Sequence, residues 1–579
     1  MTGARIYFEV FDETAADEAA FSSTLAQLWV DYGSLTDGLY PDDDPENPTL
    51  RQFVTGEPNA ASLGGSVRLF PDSPGASLGY WSSNLSGEDG AFATPPVLVC
   101  GFGGTAHTSV GVTVYFDLHA CLSDFKVEWL SSSGTALATQ TVTGNTAPSV
   151  FIEEHVEEYY GLRITCQKTA DPYRYAKIQE IEFGQRMVYD EHNLVSASAV
   201  EEVDLSGAST PAGSLQLHVF DPDGRLNPVN PDGIYTYLRR GMPLHVEFIV
   251  DNVRYPGGLY YLDTWEGSNT GTAKITAMDI IGFRSSFMYA SAFHPATSPV
   301  TADAIFSDIY DVCGLSGQVY TGVGSGTYIG YIPEADMQQA IAHACLACGG
   351  YAKAVRDGRV DIIPPPSTAS PIILTQRDIL GEPDVSKSKP ITQVEVEEYS
   401  YSVSSSTDYS ESPRIWLGQE LEYYRYDLDG VYSDVDTWLE SEIGSGSYHQ
   451  ERIRCCASFV EFYALAEYSP PPTVAFIKGR TVTETKVLHR TDGGEKTDGV
   501  VSIKGIPLIT RDKSGAVISR AKEYYAKQLT IKARTVWRNG LECGACVTVP
   551  TRFGTVTGNI TRMDINLTGG MLATMEVVT

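Results

Sequence analysis

Apolar residues recur at every second position through the middle of the chain. Leu215, Leu217 and Val219 alternate with Gln216 and His218, and Leu244, Val246, Phe248 and Val250 repeat the pattern. Tyr260, Leu262 and Thr264 share one face after the Gly257-Gly258 bend, and Ile275, Ala277 and Asp279 follow. Such alternation puts one face of a strand in a core and the other in water. Asp221-Pro-Asp-Gly224 supplies a tight turn between strands, since Pro fixes φ and Gly accepts a positive φ. Turn signals return at short intervals, which predicts an antiparallel barrel or sandwich.

The same period appears upstream, where Val112, Val114 and Phe116, then Phe125, Val127 and Trp129, alternate inward. Together with Pro96-Val-Leu-Val99, Gly161 to Thr165 and Ala176 to Phe183, they predict a self-contained β domain. The texture changes near 300. Ala302 to Val312 reads as a helix with Ile305, Ile309 and Val312 on one stripe. A second helix is expected to open at Glu334 after Pro333, with Met337, Ile341, Ala344 and Cys345 as its apolar face, and to end at Gly349-Gly350. A hairpin turning at Asp357-Gly358 follows, and Pro364-Pro365-Pro366 marks a boundary. Val394 and Val396 alternate with Glu395 and Glu397, the Ser-, Tyr- and Asp-rich stretch 400–450 reads as an excursion, and a helix near 516–528 precedes the closing strands.

Two resemblances arise from these residues. The run Asp221-x-Asp223-Gly224-x-Leu-Asn227-Pro228-x-Asn-Pro-x-Gly233-x-Tyr235, then Gly258-Leu-Tyr260-Tyr261-Leu, then Ala277-x-Asp-x-Ile-Gly282 resembles the first β-barrel of phage tail hub proteins, both contractile-baseplate and flexible-tail. Helix, Gly-Gly and hairpin is similar to the small α/β domain between the two barrels of that family. The second barrel matches more loosely, because its usual Gly-Asp is here Gly544-Ala545. The upstream domain resembles galactose-binding-like jelly rolls of the discoidin type, on Trp81-Ser and Ile178-Gln-Glu-Ile-Glu-Phe-Gly184.

The resemblances imply a mainly β chain with α/β elements: two hub-type β-barrels, a small α/β domain and a jelly-roll β-sandwich. The expected division is 1–50 as an N-terminal part of the first barrel, 51–187 as jelly roll and 188–298 as first barrel. Residues 299–370 would form the α/β domain, and 371–579 the second barrel with an excursion near 400–500. The implied role is structural, not enzymatic: a homotrimer at a virion's tail tip, made in the host cytoplasm, joining a sixfold tail tube and distal tail protein to a threefold tip. Tape-measure, tip and fibre proteins would be its partners, and DNA would pass through the lumen without specific binding. Asp221, Asp223, Gly224, Asn227, Pro228, Gly233, Tyr235, Gly258, Tyr260 and Tyr261 would hold barrel geometry rather than do chemistry. In the jelly roll, Trp81 with Asn84 and Asp89 could present a stacking ring and polar groups to a host-surface saccharide; alternatively Trp81 is a core residue.

Charge and candidate chemistry narrow this little further. With 73 acidic against 41 basic residues the net charge is -32, a poor match for gripping phosphates. Acidity serves solubility, or a channel wall that repels DNA. The opening residues Met1 to Phe11 lead one to expect no secretory leader, and no uncharged apolar stretch reaches membrane-spanning length. The acidic loop Tyr40 to Asn47 reads as solvated, although its three adjacent Asp could suit Ca²⁺. Cys345-x-x-Cys348 and Cys543-x-x-Cys546 could in principle make a four-thiolate zinc site, but the first lies in a helix and the second lacks a knuckle turn. No nucleophile elbow, zinc-protease or phosphate-loop motif occurs, so no catalytic residue, metal or cofactor is expected. The competing reading is a secreted or cell-wall-directed carbohydrate-binding enzyme with an accessory jelly roll.

Overall fold

The computed structural model describes residues 3–36, 57–58, 79–117, 121–365 and 371–579, apart from 231–232, 236–237, 252, 269, 325, 390, 392, 407–408, 412–413, 416, 418–419, 442–447, 467–472, 491–498 and 528. The acidic loop 40–47 lies outside the described residues. The chain is mainly β with a few helices, and it divides into two compact units, Phe8–Val188 and Met1–Tyr7 with Tyr189–Thr579.

In the smaller unit, a five-stranded sheet runs Ala20–Ser23, Val97–Gly101, Gly161–Thr169, Leu122–Leu130, Ala136–Val142. A four-stranded sheet runs Tyr80–Leu85, Tyr175–Glu182, Val112–Phe116, Ser149–Ile152. Both contribute to one core: Val112, Val114 and Phe116 meet Phe125, Val127, Trp129 and Leu162, with the Phe116 and Phe125 rings edge to face at 5.2 Å. Two antiparallel sheets sharing a core in this way make a sandwich. Val112–Phe116 is buried along its whole length rather than on alternate residues, because its second face is covered too. The N-terminal 50 residues do not all belong with the first barrel as expected. Ala20–Ser23 pairs with Val97–Gly101, and Phe21 packs on the sandwich core, so this unit starts well before residue 51.

The larger unit is threaded by one long sheet. Its order includes Pro243–Val250, Val253–Gly267, Thr272–Met278, Ser214–Phe220 and Leu194–Glu202, then Gly554–Asn566, Leu572–Val578, Leu529–Val536 and Asp384–Lys387. Cys546–Thr551 pairs with Gly554–Asn566, and Ile372–Ile373 lies parallel to it. Leu215, Leu217, Val219, Leu244, Val246, Phe248, Tyr260, Leu262, Ile275 and Ala277 are buried as the alternation predicts, whereas Val250 is half-buried and Thr264 is exposed, because the strand register shifts between Leu262 and Thr264. The two strand groups expected as separate barrels are joined by hydrogen bonds from Ser198↔Asn566 to Glu202↔Arg562. Among the described residues, no pair closes either group on itself. Leu194–Glu202 thus has partners along both edges, which removes a free edge that would otherwise invite foreign pairing.

The helix Ala302–Cys313 is capped by Thr301, whose Oγ1 accepts from Ala304 N, and ends at Gly314 with φ +63°. The second helix runs Met337–Cys348 and opens three residues later than Glu334. Asp336 is its cap, accepting from Gln339 N at 2.8 Å, while Glu334 turns away to a two-pronged ion pair with Arg425. The hairpin Tyr351–Ala354 with Val360–Ile363 completes the expected set. The α/β core extends past residue 370, however. Val394 and Val396 of Gln393–Val403, Ile503, and Val517 and Ile518 of the helix Arg511–Tyr525 pack into it. Gln393–Val403 therefore belongs to a six-stranded sheet built on the long strand Thr473–Arg490, rather than to the C-terminal strand group. Glu422–Asp427, Phe459–Ala466 and Tyr448–Cys455 make a further three-stranded sheet over a small core of Val460, Phe462, Ala475 and Ile477.

Candidate functional site

Two segments singled out by sequence can be placed atom by atom. The first is the turn after Phe220. Asp221 is buried, and its two carboxylate oxygens accept from the main-chain N–H groups of Arg225 (2.8 Å) and Leu226 (3.1 Å). Asn227 Oδ1 accepts from Val229 N at 3.0 Å, and Asn230 Nδ2 donates to the carbonyls of Asp223 (3.1 Å) and Gly224 (3.0 Å). Ile234 N returns to Arg225 O at 2.9 Å. Gly224 has φ +63°, and a Cβ on Gly233 would stand 2.5 Å from Arg225 O. Asp223 and Pro228 lie exposed on this turn, and Tyr235 leans on Trp265 at 5.9 Å. The side chains act as main-chain substitutes that hold the turn from Asp221 to Asn230.

The remaining three residues of that motif lie in the neighbouring strand. Gly258 has φ +140° beside the register shift between Val246 and Glu247. Tyr260 is fully buried, which raises its phenol well above the usual range, and Tyr261 stacks on Phe283 at 4.8 Å. Nearby, Asp279 accepts from Gly213 N (2.6 Å) and Gly282 N (2.9 Å) and caps the short helix Ile280–Phe283. Burial pushes its carboxyl up to about 6 against the opposing pull of those N–H groups.

The second segment is the proposed saccharide face of the sandwich. Trp81 is 3% exposed. Trp29 meets it edge-on at 6.3 Å, Tyr175 tilts against it at 6.4 Å, and Lys177 Nζ sits 4.3 Å from its ring centre. Lys177 in turn pairs with Glu57 at 3.0 Å, both side chains buried. A ring covered in this way offers no face to a sugar, so Trp81 is a core residue and not a stacking platform. Asp89 is exposed, and Asn84 is half-buried in the strand Tyr80–Leu85. Asn84 Nδ2 donates to Thr94 O (2.9 Å), and Asp89 Oδ1 accepts from Ala91 N (3.0 Å).

One constellation escaped the sequence reading. His107 is buried with Nδ1 2.9 Å from Asp12 Oδ2 and Nε2 3.3 Å from Glu18 Oε2. Hydrogen bonds from Thr105 and His107 hold the Glu18 carboxyl below its usual range. Some 90 residues separate His107 from its partners, so no motif could announce them. The C-x-x-C cysteines do not gather: Cys345 and Cys348 are buried in the second helix, and burial pushes Cys348 up to about 12. Cys543 donates to Glu201 O at 3.3 Å. Among the described residues, no group of three or more His, Cys, Asp or Glu is placed to hold a metal ion.

On the face of the long sheet opposite its core, a trough of about 720 Å³ crosses the seam between the two strand groups. Polar side chains of both groups line it, among them Gln216, His218, Lys274, Asp564, Asn566 and Thr574.

No family model matches the sequence, and no curated protein matches it. Solved structures similar to the chain include the 43 kDa tail protein of prophage MuSo2 from Shewanella oneidensis, 11% identical with a TM-score of 0.37, covering 68% of this chain and 95% of that one. A tail protein from Neisseria meningitidis MC58 is 9% identical with a TM-score of 0.37, covering 68% and 93%. The family 32 carbohydrate-binding module of NanJ from C. perfringens is 12% identical with a TM-score of 0.19, covering 31% and 99%. Scores this low leave the functional reading to the chain's own residues.

Proposed function

We propose that this chain is a structural hub of a phage tail tip. Three copies form a ring that joins a sixfold tube to a threefold tip and lets DNA pass, without bond-making chemistry. The observation that carries the reading is the seam. Leu194–Glu202 pairs with Ser214–Phe220 on one side and Gly554–Asn566 on the other, which sets two antiparallel strand groups side by side in one chain. Two such groups per chain, tripled, give six units around an axis, the count a sixfold tube requires. The turn motif supports the same role, since its polar side chains grip main chain rather than point into a cavity. In this reading the distal tail protein, tail tube and tape-measure protein contact the ring, and tip or fibre proteins its far side. Host-surface saccharide, if contacted, meets the loop around Asn84 and Asp89 without Trp81.

Light scattering on the purified chain, followed by negative-stain imaging, tests this. The expected result is a mass three times that of the chain and a ring with six-lobed outline. A monodisperse monomer at micromolar concentration, with no ring in the images, overturns it.

A further inference from the structure

A second cavity, also of about 720 Å³, opens in the larger unit between the turn Ser206 to Pro211, the helix Met337–Cys348, the strand Val500–Ile503 and the helix Arg511–Tyr525. Leu346, Ile503 and Val517 give it an apolar floor. Its charge runs against that of the chain. Among 73 acidic and 41 basic residues, this cleft gathers Lys504 and Arg520 against a single carboxylate, Asp336, with the neutral imidazole of His343 beside them. Asp336 is already engaged, since its Oδ1 caps Gln339 N. Arg520 Nη2 donates to the carbonyls of Leu346 (2.7 Å) and Ala347 (3.3 Å) in the last turn of Met337–Cys348, and the exposed Lys504 makes a loose ion pair with Glu395 at 4.0 Å.

Two polar atoms in the wall also lack hydrogen-bond partners, Thr210 Oγ1, on a residue 4% exposed, and His343 Nδ1. They come from separate segments and line the same cleft. Buried polar groups are nearly always paired, so two orphans beside the basic side chains of Lys504 and Arg520 mark a place where a polar ligand group completes the wall.

We propose that this cleft binds a small carboxylate carried on an apolar chain. The carboxylate lies toward Lys504 and Arg520, where charge-assisted hydrogen bonds are strongest. Thr210 and His343 supply further hydrogen bonds, and the chain covers Leu346 and Ile503. A free medium-chain carboxylic acid and the C-terminal residue of a peptide present the same chemistry. The inference stands apart from the hub reading and is tested without assembly.

Calorimetric titration of the full-length protein with octanoate, with octanamide, and with an N-acetylated tetrapeptide ending in Leu as free acid or as amide distinguishes the sources. The acids are expected to bind at least tenfold more tightly than the amides. Octanoate alone would identify a free acid, and the peptide acid alone a chain terminus. Lys504→Glu, on an exposed position, should weaken binding tenfold or more with the melting temperature unchanged, and Gln339→Trp should block the cleft. Absence of binding by both acids at millimolar concentration, equal binding of acid and amide, or unchanged affinity in Lys504→Glu overturns the proposal.

Discussion

The turn at Asp221–Tyr235 and the strand start at Tyr80–Leu85 were both singled out by sequence, yet they are held by opposite means. In the turn, each gripping side chain finds its partner within seven residues: Asp221 with Arg225 and Leu226, Asn230 with Asp223 and Gly224. In the strand, Trp81 is fixed by Trp29, Tyr175 and Lys177, and Lys177 by Glu57, all distant in the chain. Local partners make a motif whose role can be read from spacing. Distant partners make an environment, and a Trp in the same sequence dress can be either a surface platform or a core block.

The contrast breaks first at Trp81. Trp81→Ala removes a ring enclosed on several sides, and the sandwich should lose about 3–5 kcal/mol, as large-to-small core changes do. Urea unfolding followed by near-ultraviolet circular dichroism measures it, and a loss below about 1 kcal/mol would return Trp81 to the surface. Next in size, Glu57→Gln strands the Lys177 ammonium in a dry site and should cost roughly 3 kcal/mol. Adding Lys177→Met should recover most of that loss, a coupling that a double-mutant cycle reads directly.

Asp279 lies between the two regimes, bonded to Gly282 nearby and to Gly213 far away. Burial pushes its folded carboxyl up to about 6 from an ordinary value of 3.8, so between those values the fold holds a proton that the unfolded chain has released. Stability therefore falls as pH rises through that window, by on the order of 2–3 kcal/mol, and returns on acidification. Asp279→Asn should flatten this part of the stability profile between pH 4 and 6; an unchanged slope would mean the carboxyl is charged throughout. Asp221→Ala comes next, at about 2 kcal/mol, because it orphans two main-chain donors, one of them buried. Asp221→Asn, which keeps one acceptor, should cost about half as much.

Legibility followed the range of the interactions. The period-2 strands from Leu215 to Ala277 and the helix Ala302–Cys313 were readable because burial repeats with the backbone. So was the Asp357-Gly358 hairpin, where Gly358 takes φ +86°. Helix starts were less so. Arg511–Tyr525 begins five residues before the expected Ala516, since Ser514-Gly515 reads as a break although Ser514 is anchored by its hydroxyl to Glu398. The seam pairs residues more than 350 positions apart, and Gln393–Val403 chooses Thr473–Arg490 over the C-terminal strands. Alternation says that a strand has a wet face and a dry one, but not which edge it will meet. In the sandwich, the His107 clasp was hidden for the same reason.

The smallest effect sharpens the comparison most. Asp89 and the half-buried Asn84 are the saccharide candidates that remain, and their hydrogen bonds to Ala91 and Thr94 lie at the surface. Replacing both by Ala should change stability by no more than about 0.5 kcal/mol, the range of surface substitutions without a structural role. A loop that only connects strands would leave every other property untouched as well. A loop that touches host glycan would lose binding on a glycan array while unfolding like the parent, and that separation of affinity from stability is what Trp81→Ala cannot provide. Unchanged array binding in the double variant would remove the sandwich loop from host contact and leave this unit the role of a spacer.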